Sequence, residues 1–364
     1  MTGRSPSSLG ASWDTLRQSV PGSAQTLAEL LHDAGYYTAG FVNNNCVKGS
    51  YGFAQGFDRY VDDLAAREGS ESWNKVRADE MNAVVLDWLA DDWLASGAGR
   101  QPLFLFVYYM EPHVNYVPPA PYDTLYDPSY TGPLTGEAYG IGQAVVSGAL
   151  VPSARDIDHL RALYDGEVTF WDVYLGELIE YLESNGLLEN TLLVVTSDHG
   201  ELFGEHGKWV HGSALYEEEI RVPLLLRYDG VIQPGQVVRA PVQSYDLMPT
   251  ILAYAGLDAP AEIQAVSLQP LLDGTGGPGE RVIYSELDAV RDPGHWAAWI
   301  APSADLRSIR EGGWKLIHHR GAESDDELFA LPPGALHEGE NLLGSQGDLA
   351  ARLRRQLLDW FGLP

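Results

Sequence analysis

His113, His199, His206, Lys208 and His211 draw attention first, because proton-carrying and cationic side chains are scarce in this sequence. It holds 23 Lys and Arg against 51 Asp and Glu, a formal charge of −28. An apolar run, Thr191–Ser197 (TLLVVTS), leads directly into Asp198-His199-Gly200-Glu201. Adjacent Asp and His at a strand end, with a Gly allowing a tight turn, can aim a carboxylate oxygen and an imidazole nitrogen at one metal ion. The plainer alternative is that Asp198 caps a following helix. A few residues on, Gly204–Gly212 (GEHGKWVHG) supplies His206, Lys208 and His211. A second apolar run, Pro102–Met110 (PLFLFVYYM), ends at Glu111-Pro112-His113. Neutral imidazoles serve as general acids and bases near pH 7. His113, His199, Lys208 and His211 are therefore expected at one edge of a sheet, beyond strand carboxyl ends, where open α/β sheets bind ligands.

The elements that must position these groups alternate between helix and strand. Ala24–Ala34 reads as a helix stopped by Gly35, and Tyr36–Val42 as a strand. A Gly- and Ser-rich stretch, Gly49–Ser72, precedes a helix from about Val76 to Leu94. The near-continuous apolar run Pro102–Met110 predicts a strand buried on both faces of a mainly parallel sheet. Glu111–Pro152, rich in Pro, Gly and Tyr, reads as a long loop forming a lid, a substrate wall or a mobile insertion. A helix from Ser153 to Asn185-Gly186 carries apolar residues every three or four positions. Strands at Thr191–Ser197 and Val222–Tyr228 and a helix at Tyr245–Ala255 follow. From about Gly276 the texture changes to strands in succession (281–286, 306–310, 314–319 and 327–331) and a last helix, 348–361. The reading is an α/β domain over residues 1–275, its mixed, mainly parallel sheet flanked by helices. Residues 276–364 form a subdomain with a small antiparallel sheet and a helix.

Composition narrows the function. The chain of 364 residues, 45% hydrophobic and 20% charged, can bury a sizeable core and is not a disordered segment. Its acidity opposes binding to nucleic acid or to an anionic membrane surface. Any anion site must be made locally positive, most simply by a metal. No apolar run is long enough to span a bilayer. A single cysteine, Cys46, excludes an intrachain disulfide and any multi-cysteine zinc site, and its setting reads as that of a small half-buried residue. Trp73, Trp209, Trp296, Trp299 and the tyrosines of residues 115–140 are candidates for stacking on a sugar or aryl group.

Taken in order, the motifs resemble those of the sulfatase family of the alkaline-phosphatase superfamily, over nearly the whole length. The matching stretches are Thr26–Leu31 through Ala34-Gly35-Tyr36, Gly56-Phe57-Asp58, Met110–His113, Tyr164–Glu167, Asn190-Thr191 through Ser197–Glu201, and Gly204–Gly207. Tyr216–Glu218 with Arg221–Leu224, and Gly313–Ile317, complete the set. The resemblance implies an alkaline-phosphatase-like fold and hydrolysis of a small-molecule or carbohydrate sulfate ester. It implies one divalent cation, by family default Ca²⁺ or Mg²⁺, with Mn²⁺ also suited. On this reading Asp198 and His199 are metal ligands. His113 contacts the sulfate or the leaving-group oxygen, and His211 holds the ester oxygen and helps protonate the departing alcohol. Lys208 is a further substrate-binding candidate, three positions off the family register. Asn43 and Asn45 stand where many relatives have a G-K-W-H segment, and Asn43 is left as a hydrogen-bond donor to substrate.

The family's nucleophile is a formylglycine made within C/S-x-P/A-S-R, and Met1-Thr2-Gly3 matches the segment just after that motif. The 364 residues by themselves are thus expected to be inactive towards sulfate esters. Two alternatives accompany the sulfatase reading: hydrolysis of a phosphodiester or phosphonate monoester on the same fold, and a catalytically inactive remnant.

Overall fold

Thr26 and Glu29 close the first element. Thr26 Oγ1 accepts from the Glu29 amide (3.1 Å) and Glu29 Oε2 accepts from the Thr26 amide (2.9 Å), a reciprocal cap that starts α1 (Leu27–Asp33). Gly35, at φ +91°, ends it and turns the chain into β1 (Tyr37–Val42). In this computed structural model every residue is described except 12–18, 65–75, 96–100, 278, 280, 291–297, 333 and 364. Two of the stacking candidates, Trp73 and Trp296, therefore lie outside the described residues.

By contacts the chain divides into two units, Met1–Thr2 with Gln18–Asn190, and Gly3–Arg17 with Thr191–Pro364. The change of texture near residue 276 lies inside the second unit.

In the first unit β1 is the central strand of a parallel sheet, between β2 (Arg59–Val61) and β3 (Leu103–Tyr108). Thr38 of β1 is tied to the Gly56-Phe57-Asp58 turn: its Oγ1 donates to the Gly56 carbonyl (2.7 Å) and its amide to Asp58 Oδ2 (2.9 Å). Gly56 cannot be replaced without rearrangement, since a Cβ there would sit 2.1 Å from the Glu29 amide nitrogen. The helix α2 (Ala78–Asp87) continues as a π-helical stretch, Trp88–Leu94. Its Met81, Val85, Trp88 and Leu89 cover Phe41 of β1, together with Leu178 and Leu182. Those leucines come from α4 (Ala154–Ser184), which starts in a second capping box, Ser153 with Asp156. The six residues of β3 are half-buried, not enclosed as its apolar run predicts, because β3 is an outer strand of this sheet. The 111–152 segment is also more ordered than a plain loop. It contains α3 (Ala138–Val146), and Tyr116, Tyr122 and Tyr130 are used in packing, on Tyr164, Phe170 and His159.

The second unit opens with β4 (Leu193–Thr196), paired antiparallel with β7 (Leu224–Arg227). Between them lie a short hairpin, β5 (Leu202–Phe203) with β6 (Trp209–Val210), and α5 (Glu217–Ile220). After α6 (Leu247–Tyr254) and α7 (Gln269–Leu272), four strands form an antiparallel sheet: β8 (Ile283–Leu287), β9 (Leu306–Glu311), β10 (Trp314–His319) and β11 (Glu327–Ala330). Strand alternation gives this sheet two apolar faces. Ile309, Leu316 and Leu328 pack under Ala350, Leu353 and Leu357 of α8 (Gly347–Phe361). On the other face Leu306, Ile317 and Phe329 hold Leu202 and Ala214–Tyr216, and so anchor the segment that carries His211. The class is α/β, with a three-stranded parallel sheet and a four-stranded antiparallel sheet packed on a helix. No described helix is long and apolar enough to cross a membrane.

Candidate metal and acid–base site

Beyond the carboxyl end of β4 the chain makes a tight turn on α5. The Gly200 amide donates to the Glu219 carbonyl (2.7 Å) and the Glu201 amide to the Glu218 carbonyl (3.0 Å). The approach is so close that a Cβ on Gly200 would lie 2.1 Å from the Glu218 oxygen. No helix follows, so Asp198 does not serve as a helix cap. Its Oδ1 accepts from the His199 amide (3.0 Å), and its side chain is half exposed.

His199 Nδ1–H donates to the Gly200 carbonyl (2.8 Å), which makes Nε2 the lone-pair nitrogen of the neutral ring. Fixing one ring nitrogen on a carbonyl is how a protein orients an imidazole ligand. Asp198 Oδ1 lies 3.8 Å from His199 Nε2, a separation that two ligands of one cation can span, each at about 2.0–2.6 Å from the ion. A half-exposed carboxylate and an oriented imidazole are donor types that fit a divalent ion.

The His211 ring lies against that of His199, centroids 3.9 Å apart. Val210, immediately before it, has φ +55°. A β-branched residue in that region is strained, and the turn it makes redirects the chain at His211. His211 Nδ1–H donates to Glu201 Oε1 (3.0 Å), whose side chain is buried. Burial of His211 opposes its charge, but Glu201, with lesser help from Glu219 and Asp198, outweighs it and raises the imidazole above its ordinary value. Glu219 cradles the loop itself, accepting from the Gly212 amide (2.6 Å) and the Ala214 amide (3.1 Å). Its burial pushes the carboxyl up to about 7, against those amides and the His211 charge.

The other candidates take different positions. Lys208 is half-buried at the opposite end of β6 from His211, in the hairpin turn. His206 turns away onto the Tyr216 ring (3.7 Å). Trp209 is a buried core residue, and Cys46 is exposed, not half-buried. In the first unit His113 follows β3. Its amide donates to Glu167 Oε2 of α4 (3.1 Å) and its Nδ1–H to the Val114 carbonyl (2.6 Å), again making Nε2 the lone-pair nitrogen. Asn43, just after β1, is buried, and neither its amide oxygen nor its amide nitrogen has a hydrogen-bond partner among the described residues.

Comparison with known proteins settles the family. The family described as "Sulfatase" matches residues 1–257, and the family described as "N-sulphoglucosamine sulphohydrolase, C-terminal" matches residues 204–359. The chain belongs to the sulfatase family. An N-acetylglucosamine-6-O-sulfatase of Bacteroides thetaiotaomicron is 38% identical over 135 residues, 37% of this chain and 23% of that protein. Arylsulfatase K of Xenopus laevis is 26% identical over 299 residues, 72% of this chain and 54% of that protein. This sulfatase chain thus spans about a quarter to a half of these two relatives. A solved phosphonate monoester hydrolase from Silicibacter pomeroyi superposes with a TM-score of 0.74 at 28% identity, over 99% of this chain and 83% of that one. As in sulfatases generally, a divalent cation belongs to this chemistry.

Two residues of the candidate site carry no role on the sequence alone. Glu201 is legible only as the last letter of D-H-G-E, although a carboxylate ten residues before a histidine across a hairpin could have suggested the pair. Glu219 is one of three successive glutamates, and nothing in the sequence singles it out.

Proposed function

We propose that this protein, in a form that carries the family's formylglycine nucleophile, hydrolyses sulfate esters of small molecules or carbohydrates with a divalent cation held by Asp198 and His199. The observation that carries the reading is the juxtaposition of an oriented metal-ligand pair with the His211–Glu201 pair. When bound, the cation supplies a Lewis acid that neutralises the anionic oxygens of the ester. Two donors of mixed oxygen and nitrogen type suit Ca²⁺ or Mg²⁺, and also Mn²⁺. Glu201 favours the protonated form of His211, raising it above its ordinary value against the opposing burial, and His211 is placed to protonate a departing alcohol oxygen. His113, by the family motif it occupies, contacts the sulfate or leaving-group oxygen through Nε2. The buried amide of Asn43, without a partner among the described residues, is what a polar substrate group would satisfy. Lys208 is retained as a substrate-binding candidate of lower rank, since it lies at the far end of β6. No residue of this chain is assigned as the nucleophile.

The likeness to a phosphonate monoester hydrolase favours a second reading, with a phosphodiester or phosphonate monoester as substrate. Matched aryl sulfate, aryl phosphodiester and aryl phosphonate esters, assayed with Ca²⁺ and with Mn²⁺, separate the two. Preferred turnover of the sulfate supports the first, and preferred turnover of either phosphorus ester replaces it. His211→Ala should lower turnover ~10²–10⁴-fold for alkyl or sugar esters and less for aryl esters, whose leaving groups need little protonation. Equal losses across leaving groups would assign His211 to anion binding instead.

A further inference from the structure

A second group of possible ligands lies in the same unit but apart from the Asp198–His199 pair. One ligand atom each from His206, Glu218 and Glu338 falls within 4.8 Å of the others. We infer that these three side chains form a second divalent-cation site, suited to Zn²⁺, that ties the β5–β6 turn to α5 and to the segment after β11. It is independent of the reading of Asp198, His199 and His211.

Three observations support it. The first is geometric. His206 Nε2 and Glu218 Oε2 are 3.4 Å apart, too long for a charge-assisted hydrogen bond of about 2.7–2.9 Å. It is about the separation of two tetrahedral ligands each ~2.05 Å from zinc. The second concerns satisfaction. The Glu218 side chain is only 9% exposed, and its Oε2 is buried and accepts no hydrogen bond among the described residues. A buried carboxylate oxygen left in that state calls for a partner. Oε1 is already engaged, accepting from His337 Nδ1 (2.8 Å).

The third is charge. Lys315 Nζ bridges Glu217 Oε1 (2.9 Å) and Glu338 Oε1 (2.5 Å), and Arg310 reaches Glu217 Oε2 (3.1 Å). Two cations thus balance Glu217 and Glu338, while among the described residues Glu218 is paired with the imidazoles of His206 and His337 alone. Lys315 and the Glu217 amide, which donates to both Glu338 oxygens (3.2 and 3.1 Å), fix the Glu338 carboxylate in place. That is the outer-shell support a metal ligand needs. The His206 backbone is itself set for the purpose. It sits at φ +52°, uncommon outside glycine, between Gly204 at φ +104° and Gly207 at φ +70°, and its ring is clamped on Tyr216. The residue is at the surface while Glu338 is buried, so an ion enters from the His206 side and keeps room for water. One imidazole with two carboxylates favours a borderline transition ion over Ca²⁺ or Mg²⁺.

The test uses the whole chain, stripped of metal and dialysed against Zn²⁺, with bound metal counted by elemental analysis. In an Asp198→Ala/His199→Ala background one Zn²⁺ per chain should remain. It should be lost, with at least tenfold weaker binding, in His206→Ala and in Glu218→Gln. Zinc X-ray absorption of that background protein should show a single imidazole among oxygen ligands. A crystal of the wild-type chain soaked in Zn²⁺ gives a readout that depends on no variant folding. An anomalous peak between His206 Nε2 and Glu218 Oε2 is expected, and its absence overturns the site. Zinc stoichiometry unchanged by Glu218→Gln in a folded chain overturns it equally.

Discussion

His318 and Asp326 on the C-terminal sheet make the same kind of pair as His211 and Glu201 beside the candidate metal ligands. In both, an imidazole Nδ1 lies 3.0 Å from a buried carboxylate oxygen. Their surroundings differ. Asp326 has no exposed side-chain area and is saturated: it also accepts from the His319 amide (3.0 Å) and from Arg354 (2.7 Å), and His318 is 3% exposed. Its carboxyl is held below the ordinary range. Burial pushes it up, but hydrogen bonds from His318, the His319 amide and Arg354 outweigh that. Among the described residues no arginine reaches the carboxylate of the His211 pair. Its ring is 18% exposed and lies on a second imidazole that belongs to an Asp–His pair. A histidine–carboxylate pair is thus no signature of chemistry by itself. Closed off by an arginine it joins β10 and β11 to α8, and left open beside a ligand pair it can move a proton.

The largest effect expected from this contrast is on stability. Asp326→Ala strips His318 and Arg354 of a buried partner and should cost about 3–5 kcal/mol in chemical denaturation. Cation retention by the variant, while folded, should be unchanged. A small loss would mean that the His318–Asp326 pair is solvated and the contrast is false. Asp198→Ala should do the reverse, removing Ca²⁺ or Mg²⁺ binding at the Asp198–His199 pair by calorimetry while leaving the denaturation midpoint nearly unmoved.

The pH dependence should also differ in sign. Asp326 is more acidic folded than unfolded, so its contribution is present above the ordinary carboxylate range. It is lost as pH falls through the lowered value. Asp326→Asn should flatten the acid limb of a stability–pH curve. Glu219, raised from 4.5 to about 7, contributes fully below its ordinary value, and that contribution is lost as pH rises towards and through 7. Glu219→Gln should flatten that neutral limb, and a variant with the same curve as wild type would show that Glu219 titrates normally. The smallest effect is spectroscopic. Glu201→Gln removes the main influence that raises His211 while burial remains, so the imidazole should titrate lower by NMR. An unmoved titration would assign the raised value to another carboxylate.

Local signals carried much of this molecule. The stop residue Gly35, the three- and four-residue spacing along α4 and the succession of strands after residue 276 are short-range patterns, and the helices and strands they predict are present. So are the strand-end positions of His113, Asp198 and His199, because a buried apolar run ends where polar residues begin. What the sequence could not decide were relations across space. Glu201 meets His211 only because the β5–β6 hairpin folds back, and Glu219 reaches the Gly212 and Ala214 amides only because Gly200 lets the chain lie against α5. The enclosure expected for Pro102–Met110 depended on strands beside it that no residue in the run specifies. Likewise Glu111–Pro152 reads as loop from its Pro and Gly content, yet α3 forms within it. Hydrophobic period and turn chemistry act over a few residues and can be read in order. Hydrogen-bond partnership, burial and the resulting proton affinities are set by groups tens of residues apart, and only the tertiary structure brings those together.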